Sequence, residues 1–250
     1  MTTKIKGKIG IEIECFSKTK NNEKLRLLAD ELTYVMSSDG SIHDYSYSTE
    51  SPHEFKSKVY ELTEIKQLFI DVQKIYKLIK VNQSCGLHIH LSFEKMSNYY
   101  KLLCWKFIEK FQKEYELKFT TPIEQSRKWK NYSKFYQNQI SFDLNTTKQI
   151  EIRHKNDSRF HCINFNAFNH YKTIEFRIFP ATNKISKFKQ YVKFLINIVE
   201  TFLAHETFKE FEKTKDKLKP KEKKKTLIIK VITKNEINQL KLGGTQDVQH

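Results

Sequence analysis

Three short segments of this chain repeat one design. They are Ile9-Gly10-Ile11-Glu12-Ile13-Glu14, Leu87-His88-Ile89-His90-Leu91 and Thr173-Ile174-Glu175-Phe176-Arg177-Ile178. Side chains alternate across a strand. Glu12 and Glu14 therefore share one face, as do His88 and His90, and Glu175 and Arg177. The isoleucines, leucines and Phe176 between them take the other face. Three strands of this kind constrain the fold strongly: they call for a sheet with one face on a core and the other lining a polar site.

The rest of the chain supplies what such a sheet needs. Lys8–Phe16 reads as the first strand. Helical spacing of Leu25, Leu28, Leu32 and Val35 predicts a helix over Asn22–Met36. Asp39-Gly40-Ser41 is a turn signal, and Tyr45–Glu50 reads as a weak strand closed by Ser51-Pro52. Leu62–Ile79 carries a helical stripe, Gly86–Phe93 is a strand, and Ser97–Leu117 is a long aromatic helix broken at Thr121-Pro122. Ile123–Asn156 has no clear period, although Gln149–His154 has the look of a short strand. Phe160–Phe165 and Lys172–Phe179 read as strands of a hairpin around Asn169-His170. A long amphipathic helix follows, marked by Ile185, Phe188, Val192, Leu195, Val199 and Phe202. The apolar segment Leu227–Ile232 either forms one more strand or docks elsewhere. Strands separated by helices, with turn-linked strands late in the chain, predict an α+β fold. Its sheet is mainly antiparallel, with helices on one face.

The net charge of +16 raises the question of an anionic partner. Nine lysines against two acids in Lys213–Lys230 account for about +7 of it. That leaves a basic tail on a moderately basic body, and nucleic-acid binding is not favoured on charge alone. The four cysteines, Cys15, Cys85, Cys104 and Cys162, form no CxxC pair, which argues against a zinc ribbon. They read as small core residues in a reducing, cytoplasmic setting. No run approaches the ~20 apolar residues of a membrane span, and no secretory apolar stretch opens the chain.

The polar faces admit two kinds of reading. Glu12 and Glu14 lie about 7 Å apart by strand geometry. They are either a hard-cation site, since two close carboxylates resist ionising together, or ordinary solvated acids. His88 and His90 have a recurrent metal-binding spacing, but paired core histidines share it. Glu175 and Arg177 form either a metal ligand beside a phosphate clamp or a simple ion pair. Arg159 is a second cation for the same site or a surface charge. Glu50 and Asp39 mean little in isolation.

The order of these motifs resembles the amidoligase family, within the glutamine synthetase and glutamate–cysteine ligase superfamily of carboxylate–amine ligases. The residues that carry the resemblance are Gly10 to Glu14, Asp39-Gly40-Ser41 with Glu50-Ser51-Pro52, Cys85 to Ser92, Arg159 to Asn164, and Thr173 to Phe179. It spans about residues 8–205. It implies a curved antiparallel sheet forming a funnel, with helices on its outer face, like the catalytic domain of glutamine synthetase. Inside the funnel it implies ATP and two or three Mg²⁺ or Mn²⁺ ions. A carboxylate would attack the γ-phosphate, and an amine would displace phosphate from the acyl phosphate.

Carried over by motif, Glu12, Glu14, Glu50, His88 and Glu175 are expected as metal ligands. His90, Arg177 and Arg159 are expected at the nucleotide, and Arg177, Arg159 and Glu50 in catalysis. The expected organisation is a catalytic domain over 1–210 and a basic, partly mobile extension over 211–250. Expected partners are a carboxylate and an amine: a small amino acid, a peptide or protein side chain, or a modified nucleobase. The region Ile123–Asn156 is the place to look for substrate specificity. The alternative is a nucleotide- or nucleic-acid-binding protein on the same scaffold. Rival enzyme readings are a phosphotransferase with a non-carboxylate acceptor and a metallohydrolase.

Overall fold

A computed structural model describes residues 5–18, 21–42, 50–93, 108–130, 133, 140–144, 150–154, 160–204 and 229–230. The segments 43–49 and 94–107, the lysine run 213–225, Arg159 and Cys104 lie outside the described residues.

The chain runs β1 (Gly7–Lys18), α1 (Asn22–Leu32), β2 (Val35–Ser38), β3 (Glu50–Lys56), β4 (Tyr60–Glu61), α2 (Ile65–Tyr76) and β5 (Gly86–Phe93). Then come α3 (Ile108–Lys118), α4 (Pro122–Arg127), β6 (Ile140–Leu144), β7 (Ile150–His154), β8 (Ile163–Asn164), α5 (Ala167–Tyr171), β9 (Ile174–Pro180), α6 (Ile185–Ala204) and β10 (Ile229–Lys230). Among the described residues the main sheet has the order β2-β3-β1-β5-β9-β8, with β4 paired to β1. Every described pair in it is antiparallel. A second, three-stranded sheet has the order β10-β6-β7. The architecture is α+β with an open antiparallel sheet.

The two-faced strands behave as their period demands. Ile9, Ile11 and Ile13 of β1, Leu87, Ile89 and Leu91 of β5, and Ile174, Phe176 and Ile178 of β9 are all buried in one core. Helices cover that face: α1 through Leu25 and Leu32, α2 through Leu68 and Val72, α3 through Phe111 and Tyr115, and α6 through Phe188, Leu195 and Val199. Phe111, Tyr115, Phe119, Phe179, Tyr191 and Phe194 form a continuous aromatic cluster between helices and sheet. Truncating a fully buried Phe in such a core costs about 3–5 kcal/mol. The three described cysteines are buried thiols. No described helix is long and apolar enough to cross a membrane.

Several boundaries differ from the sequence expectation, for local reasons. The first helix ends at Leu32, not Met36: Thr33 turns left-handed (φ 60°), Tyr34 N–H closes on the Ala29 carbonyl, and Val35 begins β2. Ser51-Pro52 does not close a strand but lies inside β3. Asp39 N–H donates to the Pro52 carbonyl at 3.4 Å. The proline nitrogen therefore also faces β2, whose pairing stops at His53, so its missing N–H costs no ladder bond. Thr121-Pro122 ends one helix and starts the next, with Pro122 at the first position of α4 and a Thr121–Glu124 capping box. The late hairpin is joined by the short helix α5 rather than by a tight turn. Within the segment expected as a basic extension, Ile229–Lys230 forms β10 against β6.

Candidate active site

The opposite face of the main sheet is polar, and the register decides which residues meet. Glu12 lies between Lys56 on β3 and His88 on β5, Glu14 lies opposite Glu54, and His90 lies opposite Glu175, which lies opposite Asn164 on β8. Together they line a cavity of about 560 Å³ with Asp39, Arg127, Arg177 and Tyr171. That volume falls in the ~300–1,000 Å³ range of small-ligand sites.

His88 is the hub. Its Nδ1 lies 3.1 Å from Glu12 Oε2, 3.7 Å from Glu175 Oε1 and 3.4 Å from Arg177 Nη1, and its Nε2 lies 3.3 Å from Glu14 Oε1. Arg177 pairs closely with Glu175, whose other oxygen accepts from Asn164 Nδ2 at 2.6 Å. His90 Nδ1 faces Thr173 Oγ1 at 3.2 Å, and Tyr171 stands edge-on to its ring. The buried His90 Nε2 lies 3.4 Å from Glu12 Oε1.

Gly86 makes this convergence possible. A Cβ there would lie 2.7 Å from Arg127 Nη2, 3.0 Å from Glu14 Oε2 and 3.1 Å from His88 Nε2. Any side chain would occupy the spot on which those three groups close. The Gly86 N–H also donates directly to Glu14 Oε2.

Titration of the carboxylates follows from this crowding. Burial pushes the Glu12 carboxyl up, but hydrogen bonds and charge from His88 and His90 outweigh it and hold it well below the ordinary range. Burial likewise opposes ionisation of Glu175, and His88, Arg177 and His90 overcome it. Glu54 goes the other way: burial raises it, the charge of Glu12 adds to the rise, and its 2.9 Å pair with Lys56 only partly compensates.

Among the described residues, three trios bring ligand atoms within 4.8 Å of one another: Glu12, Glu54 and His88; Glu12, His90 and Glu175; Glu14, Asp39 and Glu54. Glu12 and Glu54 each belong to two of them. A carboxylate-rich set with few imidazoles suits Mg²⁺ or Mn²⁺ better than zinc.

Of the residues expected from sequence, Glu12, Glu14, His88, His90, Glu175 and Arg177 converge here. Glu50 is the first residue of β3, opposite Lys18. It is four residues, roughly 13 Å of strand, from Glu54. Glu54 stands in the cavity as a strand-borne acid beside Glu12, Glu14 and Glu175. Sequence reasoning did not single out Glu54, Arg127 or Asn164. Asp39, which means little in isolation, lines the cavity and accepts from Ser41 N–H and Oγ at 2.8 and 2.7 Å.

Residues 102–199 match a family model described as "Putative amidoligase enzyme". This supports the amidoligase assignment. No curated protein and no solved structure gives a match. The matched span is less than half of the chain. It holds α4 and β9, and so Arg127, Glu175 and Arg177, but not β1, β3 or β5. The sheet joins the two parts, because β9 pairs with β5 and β5 with β1.

Proposed function

We propose that this chain is an ATP-dependent carboxylate–amine ligase that forms an amide or isopeptide bond through an acyl phosphate, with Mg²⁺ or Mn²⁺. The observation that supports it is the charge make-up of the cavity. Among the described residues, Glu12, Glu14, Asp39, Glu54 and Glu175 face only Lys56, Arg127 and Arg177 as fixed cations. Such a surface repels a polyphosphate on its own. With divalent ions held by the three overlapping trios, the same surface attracts one.

Bound ATP would supply the activated phosphoryl group. The chain's own residues then have distinct tasks. Glu12 and Glu54, each shared between two trios, would be the carboxylates common to the ions. His88 sits against three carboxylates and fixes their orientation. Arg177, held by Glu175, lines the cavity and would neutralise negative charge on a phosphoryl group bound there. Glu175 is itself oriented by Asn164, an outer contact of the kind that tunes metal ligands. A curved, funnel-shaped sheet around the nucleotide and a reducing cytoplasmic setting belong to the same proposal.

The test is ADP release by the purified protein with Mg²⁺ across a matrix of carboxylates and amines. Release that requires one carboxylate and one amine together supports the ligase. Release driven by hydroxyl acceptors alone, or none with any pair, contradicts it.

A further inference from the structure

Arg127 is an unusual residue for its place. It ends the short helix α4, is only 3 % exposed, and lines the cavity. A guanidinium stays charged in proteins and offers five N–H donors. Burying one without partners is costly. Yet its side chain makes a single hydrogen bond among the described residues, Nη2 to the Arg177 carbonyl at 3.1 Å. Its buried Nε has no partner among them, and it forms no ion pair with a described residue. Glu14, whose negative charge favours the ionised guanidinium, spends one oxygen on the Gly86 N–H and the other on His88.

The helix that carries Arg127 is fixed independently. Glu124, one turn earlier, is fully buried and accepts from Thr121, Tyr191 Oη and Lys187 Nζ. The guanidinium is thus pre-positioned by bonds it does not itself make. It also stands beside a second arginine: its one acceptor is the backbone of Arg177, whose positive charge raises the cost of burying the Arg127 guanidinium.

We infer that Arg127 is a phosphoryl-binding residue, forming with Arg177 a two-guanidinium cradle for the phosphoryl group that ATP transfers. This rests on the nucleotide reading above. In the step concerned, a carboxylate oxygen forms a bond to the γ-phosphorus while the bond from that phosphorus to the β–γ bridging oxygen breaks. ADP leaves with the bond's electron pair. The free N–H groups of Arg127 donate to the non-bridging oxygens throughout. No proton moves to or from the arginine.

The experiment has two arms, read on wild type, Arg127→Met and Arg127→Lys by calorimetry and thermal melting. The first uses inorganic phosphate with Mg²⁺. Phosphate raises the wild-type melting midpoint, and the rise is lost in Arg127→Met. The second compares Mg·ATP with Mg·ADP. Arg127→Met weakens ATP by roughly 10- to 100-fold and ADP by less than about 2-fold, and Arg127→Lys, which keeps the charge but not the fork, falls between. Arg127→Met also melts no lower than wild type, since it removes a buried charge. Full retention of the preference for ATP in either folded variant overturns the proposal. So does a lowered Arg127→Met midpoint with an unchanged phosphate response, which marks a structural residue. A wild type that takes neither nucleotide sinks the nucleotide reading, and the phosphate arm then decides Arg127 by itself.

Discussion

Glu124 and Arg127 sit one turn apart on the same short helix, both buried, and they could hardly be treated more differently. Glu124 is saturated: Lys187 Nζ lies 2.7 Å and Tyr191 Oη 3.1 Å from one oxygen, while the other accepts from Thr121 Oγ1 at 2.6 Å and from Thr121 N–H at 3.2 Å. Among the described residues Arg127 has one side-chain bond and an orphaned Nε. A buried charge with all its partners inside the fold needs nothing further, and removing one of those partners is costly. A buried charge without them anticipates something from outside. The same contrast separates the two faces of the sheet: one is a closed apolar core, the other a surplus of carboxylates.

The largest expected effect falls on the unsatisfied side. Glu12→Gln and Glu175→Gln each remove a carboxylate from an ion-holding trio, and Mg²⁺-dependent ATP turnover should fall by roughly 100-fold or more. The melting midpoint should fall less in Glu12→Gln than in Glu175→Gln, because Glu175 also pairs with the buried Arg177 and accepts from Asn164. Full activity in either variant breaks the comparison.

On the satisfied side the effect should be on stability. Glu124→Ala strands the Lys187 ammonium and the Tyr191 hydroxyl, and should cost about 2–4 kcal/mol in denaturant unfolding. A cost near zero would show that the cluster is ornamental and that α4 is held by packing alone.

Gly86→Ala sharpens the contrast between them. The added methyl meets Arg127, Glu14 and His88 at once, so Mg²⁺ affinity should drop about 10-fold. An Arg127→Met background should relieve part of that loss, because the shortest of the three contacts is to its guanidinium.

The smallest effect is in the pH profile. Burial alone would raise the Glu124 carboxyl, but Lys187 and Thr121 hold it below the ordinary range. A carboxyl depressed on folding contributes stability above its unfolded value of about 4.3, and that contribution is lost as pH falls through the folded value. Glu124→Gln should therefore be less stable near neutrality yet lose stability less steeply below about pH 4. Parallel wild-type and variant slopes would remove the link.

Much of this was legible in the sequence because strand alternation is a strong signal. The period of two in β1, β5 and β9 sorts Glu12, His88 and Arg177 from their apolar neighbours without any knowledge of pairing. What alternation cannot supply is register. Glu50 and Glu54 have the same parity on β3, so both qualify by face. Only the pairing of Glu54 with Glu14, and of Glu50 with Lys18, separates them. Arg127 was hidden for another reason. It lies in an aperiodic stretch, and its burial comes from a helix six residues long, docked through Glu124 on α6. The Thr121-x-x-Glu124 capping signature was readable there, but it points to a helix start and says nothing of a cation three residues on. The helix boundary at Leu32 was missed because Val35 continues the apolar spacing, while the left-handed Thr33 redirects the chain.

The central claim is that the polar face forms one site for divalent cations and a nucleotide. Calorimetric titration of ATP into the wild-type chain, with Mg²⁺ and then with EDTA, tests it most directly. The account predicts binding with Mg²⁺, none with EDTA, and none in either condition for Glu12→Gln. ATP binding that is equal with and without the metal, or unchanged in Glu12→Gln, contradicts it.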